Sequence, residues 1–127
     1  MTSPILGLDH VQVAAPAGCE SAARAFYGEL LGLAEIEKPP LLAARGGVWF
    51  ACGSQQLHVG VATEFAAARK AHPALRVVDR GALEALASQL SAAGVEVVWP
   101  EPEEIPGATR FYVSDPWGNR LELIAPI

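Results

Sequence analysis

The chain has 127 residues, 51% hydrophobic and 18% charged, and nine Lys and Arg against fourteen Asp and Glu leave a net charge of −5. That size and apolar content suit one ordinary domain with a packed core and exclude a disordered chain. The acidic balance argues against a nucleic-acid ligand, no apolar run approaches the ~18 residues of a membrane span, and Met1 to Pro4 carries no basic region ahead of an apolar one, so no secretory leader is expected.

The run from Leu8 to Ala14 alternates apolar and polar residues, as a half-buried strand requires. A helix is predicted next, over residues 21–31, with Ala22, Phe26, Leu30 and Leu33 at helical spacing and Gly32 as its left-handed stop. Residues 33–36 read as a strand, 37–40 as a loop, and residues 47–52 and 55–61 as a hairpin turning at Gly53-Ser54. Residues 62–71, rich in Ala and charge, read as a short helix or an exposed linker.

The same layout then recurs. Residues 72–78 read as a strand, Asp79 as an N-cap, and Leu83, Leu86, Ala87 and Leu90 as one apolar helix face ending at Gly94. Residues 95–98 read as a strand and the Pro- and Glu-rich stretch 100–107 as a solvated connection or a lid. Strands at 109–113 and 120–124 flank a tight turn, Asp115 to Asn119. His10 lies 22 residues before Gly32, and His72 lies 22 before Gly94. The chain therefore reads as one α+β domain of two β-α-β-β-β modules, about 5–62 and 72–127, joined by the linker.

Only three histidines occur, and their places in the repeat are informative. His10 and His72 open the two modules. His58 lies in the last strand of the first module, and the matching place in the second holds Glu122. Strand alternation puts each opposite the aliphatic face that packs on a helix. Buried imidazoles and a carboxylate without partners would cost several kcal/mol, so these side chains must meet each other, water or a metal. Three imidazoles and one carboxylate suit Zn, Ni, Fe, Mn or Co, with coordination positions left for substrate. Gln12 and Gln56 are candidate supporting donors. Trp49, Phe111, Tyr112 and Trp117 are candidate pocket walls, and Arg76 a candidate partner for a substrate carboxylate. Cys19 and Cys52 form neither a CxxC pair nor a disulfide framework, which fits a reducing cytoplasm.

Three stretches carry a family resemblance: Leu8 to Val11, Phe26 to Leu33, and Phe111 to Glu122 with its Asp-Pro-Trp-Gly-Asn turn. In these the chain resembles the vicinal oxygen chelate superfamily, which includes glyoxalase I, fosfomycin-resistance proteins, extradiol dioxygenases and bleomycin-resistance proteins. The resemblance implies paired βαβββ modules forming a cup-shaped mixed sheet with helices on its outer face. It implies a divalent metal held by His10, His72 and Glu122. His58 falls where glyoxalase-like members carry a glutamate, and is expected as a fourth ligand or an acid/base group beside Glu122. The implied activity is lyase, isomerase or dioxygenase chemistry on a small substrate that chelates the metal through two oxygens, in a homodimer. The alternative is metal-free sequestration of an antibiotic, as bleomycin-resistance proteins perform.

Overall fold

Alternating residues from His10 onward and helical spacing after Glu20 decide the first half of the chain. The computed structural model describes residues 2–127 and divides the chain into two compact units, with the boundary between Phe65 and Ala66. The first unit contains β1 (His10–Ala15), α1 (Glu20–Ala23) running into a π-helical stretch (Arg24–Leu30), β2 (Glu35–Ile36), α2 (Pro40–Ala43), β3 (Val48–Cys52) and β4 (Gln55–Val61). Its sheet has the order β1-β4-β3-β2, with β1 parallel to β4 and the other pairs antiparallel.

The helix differs from the expected regular one. Leu31 N–H donates to Phe26 O at 3.0 Å, a bond spanning five residues. The wider turn lets the neighbours Phe26 and Tyr27 both point inward and become buried. The Tyr27 ring lies 5.9 Å from that of Phe50 on β3. The expected loop holds over residues 37–39, and Pro40 opens α2 because its fixed φ suits a first helical turn.

Glu20 ties this helix to β3. Its Oε2 accepts the N–H of Gly47 at 2.6 Å. That hydrogen bond, followed by the bond from its own backbone N–H, holds the carboxyl below its usual range. A depressed carboxyl stabilises the fold above its unfolded value and stops doing so as pH falls through the folded one. Glu20→Gln is therefore expected to cost about 1–2 kcal/mol at neutral pH. Urea midpoints of the two proteins should converge as pH drops below the ordinary carboxylate range.

The second unit contains β5 (Ala74–Arg76), α3 (Arg80–Ala92), β6 (Ala108–Ser114) and β7 (Arg120–Pro126). The order is β5-β7-β6, with β5 parallel and β6 antiparallel to β7. Asp79 caps α3 by accepting from Ala82 N–H at 2.8 Å. Leu83, Ala87 and Leu90 are its buried face, and they join Phe111, Leu121 and Leu123 in the apolar core.

The strand expected at 95–98 is reduced to one bridge, Val98 with Tyr112. Trp99 then packs on Phe111 at 5.1 Å, and Pro100 has no N–H with which to extend the ladder. The module is thus β-α-β-β plus a bridge. Residues 62–71 form no regular element. Cys19 and Cys52 are free thiols. Among the described residues no helix is long and apolar enough to cross a membrane.

Candidate functional site

The polar faces of the two sheets each gather the expected residues. In the first unit, register sets Trp49 directly opposite His58 on one side and Gln12 opposite it on the other. The Trp49 and His58 rings stack at 3.8 Å with planes 2° apart. The His10 ring also stacks on that of His58, at 4.3 Å and 18°. His58 is buried, at 4% exposure, whereas His10 is exposed.

Hydrogen bonds assign the ring nitrogens. Asp9 Oδ2 lies 2.9 Å from His10 Nδ1. A carboxylate only accepts, so Nδ1 carries the proton and His10 Nε2 keeps its lone pair. Gln56 Oε1 lies 2.8 Å from His58 Nε2. That oxygen also only accepts, which leaves His58 Nδ1 as an acceptor. Burial, then the neighbouring His10, holds the His58 imidazole below its usual range. The two rings lie in near-parallel planes, so their in-plane lone pairs do not converge on one point in this arrangement.

In the second unit, Glu122 on β7 is 5% exposed. His72 Nε2 lies 3.0 Å from Glu122 Oε1. His72 Nδ1 lies 2.8 Å from the Lys70 carbonyl and donates to it, which leaves Nε2 to face the carboxylate. A lone pair at that distance from a carboxylate oxygen needs a proton or a cation between them. Arg110 Nη1 donates to the same Oε1 at 3.2 Å. Both contacts fall on Oε1, and among the described residues no hydrogen bond falls on Oε2. Tyr112, directly opposite Glu122, receives an Arg110 hydrogen bond on its hydroxyl. The Arg120 guanidinium lies 3.7 Å from the Tyr112 ring centroid.

The structure thus pairs His10 with His58, and His72 with Glu122. Among the described residues no three His, Cys, Asp or Glu side chains form one metal-holding group. The donor types nevertheless suit a divalent ion. Each pair offers an imidazole whose other nitrogen is fixed by an oxygen acceptor, the arrangement that orients metal-binding histidines. Sequence reasoning misses Arg110. Its one signal is the alternation Arg110-Phe111-Tyr112, which puts the arginine on the face of Tyr112 and away from the core. Trp49, expected as a pocket wall, stacks on His58.

Residues 7–123 match the family model described as Glyoxalase/Bleomycin resistance protein/Dioxygenase superfamily. A glyoxalase family protein from Bacillus anthracis has 48% identity and a TM-score of 0.91, with 100% of both chains covered. Lactoylglutathione lyase from Agrobacterium tumefaciens has 21% identity and a TM-score of 0.73, over 97% of this chain and 96% of that one. The fosfomycin resistance protein FosX from Listeria monocytogenes has 17% identity and a TM-score of 0.78, over 97% and 93%. These last two show the fold alone. Among curated proteins, none matches the sequence. The family match spans nearly the whole chain, and the chain therefore belongs to the Glyoxalase/Bleomycin resistance protein/Dioxygenase superfamily.

Proposed function

We propose that the protein is a divalent-metal enzyme of the glyoxalase or dioxygenase type, acting on a small substrate that offers the metal two oxygens. The observation that carries this reading is the His72–Glu122 pair. An imidazole with its Nδ1 proton fixed on a carbonyl faces a buried carboxylate whose second oxygen takes no hydrogen bond among the described residues. His72, Glu122 and His10 would hold the ion, and it would supply Lewis acidity to the substrate oxygens. Asp9 would fix the His10 ring through Nδ1. His58, held by Gln56 through Nε2, would keep Nδ1 to accept a proton or a hydrogen bond. Trp49 and His10 would hold its ring in place. This assigns Glu122 and His58 the catalytic work, with His58 as a neighbour of the ligand set.

The reading also takes a homodimer in a reducing cytoplasm. Support comes from β1 and β5 lying at sheet edges, from the exposed Ile5, Leu6 and Leu8 ahead of β1, and from the free thiols.

Protein purified without chelator is expected to carry stoichiometric divalent metal by mass spectrometry. His10→Ala and Glu122→Gln should lose it while still unfolding in one cooperative transition, at a lower temperature because the bound ion no longer stabilises the fold. A metal-free wild type that takes no added ion, yet binds aromatic antibiotics, would overturn the reading in favour of sequestration. Asp9→Ala should keep the fold and weaken metal affinity about 10- to 100-fold, the usual effect of removing a ligand's orienting partner.

A further inference from the structure

We propose that Arg110 anchors an acidic group on the ligand of this site, in the position that the Glu104 carboxylate takes. The proposal rests on the reading of Glu122 as part of a ligand-binding centre and adds the chemical class of the ligand.

The Arg110 side chain is only 12% exposed. Its two terminal nitrogens have different partners. Nη1 faces inward, to the Tyr112 hydroxyl and to Glu122 Oε1. Nη2 faces Glu104 Oε2 at 2.7 Å. Glu104 lies outside the sheet, in the connection between α3 and β6, beside Glu103 with its left-handed φ of 61°. Its side chain is 48% exposed.

A half-exposed carboxylate gains little from such a pair, because water serves it almost as well. The guanidinium is the partner that needs an oxyanion. Exchanging Glu104 for another oxyanion keeps that bond, whereas a bare Nη2 in so shielded a position does not. Arginine suits this exchange, since its planar fork takes carboxylates and tetrahedral oxyanions in two-pronged fashion.

The surroundings define the rest of the ligand. A cavity of about 540 Å³ opens onto Arg110, with Trp99, Ile105, Thr109 and Ile127 among its walls. Trp99 and Ile105 are exposed there. Arg120 lies over the Tyr112 ring, outside the cavity lining, and makes no ion pair among the described residues. An acid group on an apolar or aromatic body fits these walls. Glu84 also lines the cavity but is already paired with Arg80. Glu101 and Glu103 line it too and repel an anion, so recognition is local to Arg110 and long-range steering is weak.

Phenylphosphonate and phenylethylammonium are suitable probes of opposite charge, titrated into the purified full chain by calorimetry. Phenylphosphonate is expected to bind, and Glu104→Gln to tighten it about fivefold by freeing Nη2. Arg110→Gln should abolish that binding and Arg110→Lys restore part of it. An unchanged affinity in Glu104→Gln, with melting as in the wild type, would overturn the proposal. So would preferential binding of the ammonium probe. Metal content in the same samples separates the two readings. Metal without a phosphonate response removes the anchor alone. A phosphonate response in metal-free protein keeps the anchor and removes the metal centre.

Discussion

Gly47→Ala is expected to destabilise the protein by on the order of 4 kcal/mol or more, because strain, a backbone clash and a lost hydrogen bond coincide. Gly47 has φ +85°, and a Cβ there would lie 2.1 Å from the Val59 carbonyl oxygen. That oxygen belongs to the β3–β4 ladder, where Val48 pairs with Val59, so it does not move without opening the hairpin. The same shift pulls Gly47 N–H away from Glu20 and loosens the helix from the sheet. Gly53 is the control. It has φ +59°, but a Cβ there meets nothing within 4 Å. Gly53→Ala should cost about 1 kcal/mol, the backbone strain alone. Urea denaturation of both variants isolates the steric part. Equal losses would show that the strands part more readily than their register implies.

The hairpin matters to the site because β4 carries His58 and β3 carries Trp49, and only their register brings the rings face to face. Much of this is legible in the sequence. Alternation decides which residues share a face, and the internal repeat matches His10 with His72 and His58 with Glu122. The pairing His72–Glu122 accords with that repeat, since β5 runs parallel to β7 with Ala74 beside Glu122.

Features hidden from the sequence have local causes. The π-helical turn at Phe26 and Tyr27 gives no periodicity signal, because one extra residue in a short helix changes no composition. Residues 95–98 are strand-like throughout, yet their pairing depends on the next two positions, where Trp99 and Pro100 end it. Arg110 escapes notice because arginine at a strand position usually faces water. Its burial comes from Glu122, diagonal to it across the ladder, a long-range consequence of register. His58 reads as a ligand from its place in the repeat. Its stacking against Trp49 and His10 comes from the side chains of two neighbouring strands, which a one-dimensional repeat does not describe.

Asp115→Ala is expected to cost about 3–5 kcal/mol, since it leaves several buried donors without an acceptor at once. Asp115 Oδ1 accepts the backbone N–H groups of Trp117 at 3.0 Å and Asn119 at 2.9 Å. Its Oδ2 accepts from the Asn119 side chain at 2.9 Å. Asn119 in turn takes Ala68 N–H on its Oδ1 at 3.0 Å, and Arg120 N–H donates to the Ala68 carbonyl at 2.9 Å. Asp115 and Asn119 are both buried, so water does not replace the lost bonds cheaply. Asp115→Asn should cost less, about 2 kcal/mol, because one oxygen still serves the backbone while its new amide opposes that of Asn119. The turn also sets where β7 begins, and a slip of one residue would turn Glu122 away from His72. On the proposed metal centre, Asp115→Ala should therefore lower metal content in the fraction that remains folded, whereas a core truncation of equal cost should not. Chemical denaturation gives the first quantity and metal analysis of the folded fraction the second. Unaltered metal content in folded Asp115→Ala would show that the β6–β7 ladder holds the Glu122 register without help from the turn.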